Sequence, residues 1–144
     1  MQLKNALRHN LEKLARESPK DFEGIDINCV KIYLDVDTDP DSVLKIIRKR
    51  KNRNKFRLII RTILQGRYDD ALYKKERNNI AAMKFSGLIN SRIYCLEMAG
   101  DNGEKKIVIM CRGIEHKSSQ KNDKKINAII DSVENSTYIF HETL

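Results

Sequence analysis

SRIYCLEMAGDNGEKKIVIMCRGIEHKSSQK, residues 91–121, decides how this chain is read. Ser91 to Met98 and Lys105 to Cys111 are rich in Ile, Val, Tyr, Leu and Met, and both have the length of a strand. AGDNGE lies between them, with the Gly, Asp and Asn that a compact turn requires. The stretch therefore predicts a β-hairpin. Its second strand empties into a burst of basic residues: Arg112, His116, Lys117 and Lys121.

Side chains alternate between the faces of a strand. Arg92, Tyr94, Leu96 and Met98 share one face of the first strand, with Ile93, Cys95 and Glu97 on the other. Ile107, Ile109 and Cys111 share one face of the second strand, with Lys106, Val108, Met110 and Arg112 opposite. Neither face is cleanly polar, so both are expected to be covered in part. An arginine at the start of one strand and another at the end of the next lie near each other across a hairpin. Guanidinium groups bind phosphate oxygens in pairs, so Arg92 and Arg112 predict a phosphate site.

Outward from the hairpin, Ala81–Phe85 reads as a short strand that carries Lys84, and Val30–Val36 as another. Asp39-Pro40 has the form of an N-cap followed by a first-turn proline, and opens a helix with Val43, Leu44, Ile46 and Ile47 on its apolar side. A second helix carries Phe56, Ile59, Ile60, Ile63 and Leu64, with Gly66 as its terminator. Residues 67–76 read as loop or short helix. Ile126, Ile129, Ile130 and Val133 form the stripe of a last helix over 123–134. Leu3, Leu7, Leu11 and Leu14 predict an amphipathic N-terminal helix over 3–15, ended by Ser18-Pro19.

The expected fold is α+β. A small, mostly antiparallel sheet carries two helices on one face, with its other face partly open, followed by a C-terminal helix and preceded by an extra N-terminal helix. Residues 1–29 are expected to form a helical extension with its linker, and 30–144 the main domain.

The chain has 144 residues, enough to bury a core as one domain. Its net charge of +8 favours polyanionic partners. The three cysteines form no CxxC pair, so a zinc site is not expected and free thiols in a reducing cytosol are. The N-terminus has no apolar signal region, and no run approaches a membrane span. Asp35, Asp37, Asp39 and Asp41 alternate at a strand exit and are read as a solvated loop and helix N-terminus. No acidic pair suits a two-metal nuclease, so no metal or other cofactor is expected.

Lys84, Arg92, Arg112, His116 and Lys117 thus converge on one small sheet. Two arginines to hold a phosphate, two lysines to neutralise charge and a histidine to move a proton suit metal-independent RNA cleavage, in which the 2′-OH is the nucleophile. The basic run Arg48, Lys49, Arg50, Lys51 and Arg53, with Lys121, is a candidate track for the RNA backbone.

The segment from MKFSGLINSRIYCLEM through KKIVIMCRGIEHKSSQKNDKKINAIID resembles the C-terminal half of RelE/HigB-type toxins of bacterial toxin–antitoxin systems. In that superfamily an arginine-led strand is followed by an Ile/Val/Leu-rich strand, a loop of the kind G-[FI]-x-K-K-x-Q-K, and a helix. Here the loop reads Gly113-Ile114-Glu115-His116-Lys117-Ser118-Ser119-Gln120-Lys121, with His116 at the first lysine position and one extra serine. The family order of strand, two helices, three strands and helix is similar to that read over residues 30–134. The resemblance implies ribosome-dependent mRNA cleavage in the cytoplasm, without a cofactor, restrained by a cognate antitoxin protein. It places Arg92 at the phosphate, Arg112, His116 and Lys117 among the loop residues, and Lys84 among the basic residues of the earlier strand. Tyr138 lies where some members carry a tyrosine. A non-catalytic module of the same fold that binds RNA, ribosome or protein is the alternative. A DNA-binding regulator built on 48–55 is a third reading, without a recognition-helix signature.

Overall fold

The hairpin of residues 91–111 forms the centre of the sheet. The computed structural model describes residues 2–86, 90–116 and 124–143. Strands β5 (Asn90–Ala99) and β6 (Lys106–His116) pair antiparallel along their length, from Asn90 opposite His116 to Ala99 opposite Lys106. In the turn, the Glu104 carboxylate accepts the backbone N–H groups of Asp101 and Asn102, which hold its pKa down to about 2.

β4 (Ile80–Phe85) lies antiparallel to β5, and β2 (Val30–Asp35) runs parallel to β6 on the other side. Three further strands depart from expectation. The segment predicted as an N-terminal helix is a strand, β1 (Gln2–Arg8), with only the short α1 (Glu12–Glu17) after it. β1 pairs antiparallel with β2 and parallel with β7 (Ser136–His141), and β3 (Tyr73–Arg77) flanks β4. The result is a seven-stranded mixed sheet in the order β3-β4-β5-β6-β2-β1-β7, larger and less antiparallel than the sequence suggests.

α2 (Pro40–Ile47) begins as predicted: Asp39 caps it by accepting from the Ser42 N–H at 3.2 Å, and Pro40 occupies the first turn. A 3₁₀ turn at Arg50–Asn52 leads into α3 (Arg53–Leu64), and Gly66 follows with φ +70°. These helices cover one face of the sheet. Val43, Ile46, Ile59, Ile60 and Ile63 pack against Ile32, Met83, Ile93, Cys95, Val108 and Met110, all fully or almost fully buried. α2 crosses β6 so closely that a Cβ on Gly113 would lie 2.2 Å from the Ser42 carbonyl oxygen, and only glycine fits there.

The second face is not open. α4 (Lys124–Glu134) places Ile130 and Val133 against Ile80, Tyr94, Leu96, Ile109 and Cys111, and Tyr138 of β7 joins this second core. Asp35 is likewise not solvated: it is fully buried, accepting from Tyr138 Oη and Thr38 Oγ1 at 2.6 Å each. No helix among the described residues is long and apolar enough to cross a membrane.

Candidate functional site

Strand register, more than any loop, assembles the basic residues. Lys84 of β4 is the cross-strand partner of Arg92 of β5. Ala82 and Tyr94, the next pair on that face, belong to the core under α4, so alternation puts Lys84 and Arg92 on the α4 side. Arg112 should lie on the other side if β6 were regular. A bulge at Cys111 prevents this: Cys95 is opposite Met110, yet Tyr94 is opposite Arg112. The extra residue re-aims Arg112 to the face of Tyr94 and Arg92, and Ile114, opposite Arg92, packs in the same second core. Lys84, Arg92 and Arg112 thus share a face, the last two as diagonal neighbours.

A cavity of about 340 Å³ opens at this end of β4 and β5, lined by Asp70, Lys84, Ser86, Asn90, Ser91 and Arg92 among others. Lys84 donates to the Asp70 carbonyl oxygen at 2.8 Å. Its pKa is lowered, first by burial and then by the neighbouring cations Arg92 and Lys74. Arg92 is only 5% exposed and forms an ion pair with Glu76 Oε1 of β3 at 3.7 Å. Glu76 offsets part of the local positive charge. Sequence reasoning missed it: the sole acid in the run KKER at 74–77 was its only signal, and nothing local shows that β3 folds beside Arg92.

His116 is the last residue of β6, opposite Asn90 at the cavity's rim, and so belongs to a strand rather than to the expected loop. Lys117 and Lys121 lie outside the described residues. The candidate RNA track lies elsewhere. Arg48, Lys49, Arg50, Lys51 and Arg53 run from the end of α2 into α3, on the opposite face from Lys84 and Arg92. Arg48, Arg50, Lys51 and Arg53 are exposed, whereas Lys49 is tied to Glu115 at 2.8 Å. Lys49 also holds the Glu115 carboxyl below its ordinary pKa.

A second polar cluster occupies the far end of the hairpin. Glu97 accepts from Tyr68 Oη at 2.6 Å, Tyr73 Oη at 2.5 Å and Lys106 Nζ at 2.9 Å. Burial alone would raise its pKa, but these hydrogen bonds prevail and lower it. Every strong donor here is already committed to Glu97, which suits a strut better than a ligand site. Cys95 and Cys111 are buried free thiols, and burial pushes Cys111 up to about 12, so it is chemically quiet. Cys111 and Asp35 share the Tyr138 hydroxyl, which makes Tyr138 a buried tie between β7 and β2, far from exposed. No protein-family model, curated protein or solved structure matches this chain.

Proposed function

We propose that this chain is the toxin of a type II toxin–antitoxin system, a RelE/HigB-like, metal-independent, ribosome-dependent mRNA endoribonuclease acting in the cytoplasm. The observation that carries the reading is the shared face of Lys84, Arg92 and Arg112 at the end of the sheet where a cavity opens beside Lys84 and Arg92, produced by register and one bulge. In this reading, Arg92 and Arg112 hold the non-bridging oxygens of one mRNA phosphate. The 2′-OH of the preceding ribose attacks phosphorus, and the bond to the 5′-oxygen breaks, leaving a 2′,3′-cyclic phosphate and a 5′-hydroxyl. Lys84 offsets the negative charge that grows on the phosphorane-like state. His116 and Lys117, adjacent in sequence, supply proton transfer between the 2′-OH and the leaving oxygen. The exposed cations of 48–53 serve as a separate contact to ribosomal or messenger RNA. A cognate antitoxin protein restrains the activity by covering basic surface.

One observation favours the second reading, a non-catalytic module that binds RNA, ribosome or a protein. Arg92 is almost buried and ion-paired to Glu76, which is also how a purely structural arginine sits. Induced expression with primer extension on a reporter mRNA separates the two. Growth arrest with discrete cuts in translated regions, lost in Arg112→Ala, supports the nuclease. Normal growth with intact mRNA supports the module.

A further inference from the structure

The two edges of the sheet differ. β3, at one edge, has the sequence YKKER, with four charged residues in five and a bulge between Lys75 and Arg77. Charge and irregularity are what keep an edge strand from pairing with another chain. β7, at the opposite edge, has the sequence STYIFH, with no Lys, Arg, Asp, Glu or Pro, and its pairing with β1 is regular over six residues. Nothing on β7 blunts its edge, although half of its backbone N–H and C=O groups face away from β1.

Side chains beside this edge are also unusual. Leu3 and Ile139 are 67% and 45% exposed, among the most exposed large apolar residues described. The register sets Leu3 against Thr137 and Asn5 against Ile139, so Leu3 and Ile139 are diagonal neighbours on one face. They make a small apolar spot along an uncharged edge, in a chain of net charge +8.

We propose that β7 pairs antiparallel with β7 of a second copy of this chain, joining two seven-stranded sheets across a two-fold axis. A two-fold axis beside a strand generates an antiparallel partner, and each residue then meets the same surface on its mate. Charge selects this occupant. Two copies of a chain at +8 repel wherever basic surfaces meet, and β7 is the edge where that repulsion is absent. An acidic partner, in turn, finds no cation along β7 to recognise. The joined strands also bring Ile139 and Leu3 of each copy under cover of the other's edge. This pairing does not depend on the nuclease reading.

The test is the mass of the full chain in solution, by light scattering or sedimentation, from about 1 to about 100 µM. Twice 16.8 kDa is expected at the upper concentrations. Ile139→Lys and Thr137→Lys, both at exposed side chains, should weaken dimerisation at least about tenfold, while circular dichroism stays that of the wild type. Lys74→Thr, on the other edge, should leave it unchanged. Wild-type backbone amides of residues 136–141 should exchange more slowly at the high concentration than at the low one, a readout that needs no variant. A monomer throughout overturns the proposal. So does a dimer indifferent to both lysines with β7 exchange independent of concentration, which would place the contact elsewhere. Protection of β7 already complete at low concentration, in a monomer, would mean that another segment of the chain covers the edge, and also overturns it.

Discussion

Lys84 and Arg92 face each other as a cross-strand pair at one cavity, with Glu76 the acid ion-paired to Arg92. Like charges directly opposite on a sheet repel, and an anion bound at this cavity would add to the compensation that Glu76 gives Arg92. Pyrophosphate, as a probe, should therefore raise the unfolding temperature. At a hundredfold excess over its Kd it should add about 2.7 kcal/mol. Lys84→Met should remove most of that response while changing the stability of the anion-free protein by no more than about 0.5 kcal/mol. Thermal melts with and without pyrophosphate check both halves. A stable variant that still responds fully would separate the cavity from anion binding.

The protonation of Lys84 gives a second handle. Burial, then Arg92 and Lys74, lower its pKa from 10.5, so its charge is lost at lower pH than that of a free lysine. If it acts as a cation during cleavage, single-turnover rates should fall as pH rises through that lowered pKa. Lys84→Arg keeps its charge throughout and should move the alkaline limb upward, with the rate at neutral pH within about tenfold of wild type. An unmoved limb would assign the titration to another group.

Gly113 makes a prediction about the scaffold. A Cβ there would lie 2.2 Å from the Ser42 carbonyl oxygen, and the Gly113 N–H donates to Ser42 Oγ at 2.9 Å. Gly113→Ala forces α2 off β6 and should cost about 1–3 kcal/mol in urea unfolding. Because β6 also carries Arg112, the same variant should weaken the pyrophosphate response.

The elements legible in the sequence are those whose partners are close in the chain or whose apolar pattern is self-sufficient. The hairpin, β2, β4, α2, α3 and α4 all have a strong stripe or a strong cap. β1 was not legible, because Leu3, Leu7, Leu11 and Leu14 mimic a helix. In the fold, Leu3 is exposed, Ala6 is fully buried, and only Leu11 and Leu14 pack into the main core. What makes β1 a strand is pairing with residues 136–141, more than a hundred positions away, and no local pattern records that. β3 escaped notice because an edge strand of Lys, Glu and Arg looks like a solvated loop. The gathering of Lys84, Arg92 and Arg112 on one sheet was legible, but Arg112's face was not, since a bulge at Cys111 has no glycine or proline to announce it.

Glu97 supplies the pH dependence of the fold. Its hydrogen bonds from Tyr68, Tyr73 and Lys106 lower its pKa from 4.5 in the folded state. A carboxyl depressed on folding contributes stability that is fully present above its unfolded pKa. That stability is lost as pH falls through the folded value, because the unfolded chain takes up the proton first. Wild-type stability should therefore drop progressively below pH 4.5. Glu97→Gln keeps an acceptor for the tyrosines but loses the charge that Lys106 and Lys75 face. It should cost about 2 kcal/mol at neutral pH, and the deficit should shrink as the wild type is acidified. Urea unfolding of both proteins across this range checks the sign. A difference that stays constant with pH would show that Glu97 is not the titrating group, and that the tyrosine–lysine cluster stabilises the sheet by packing alone.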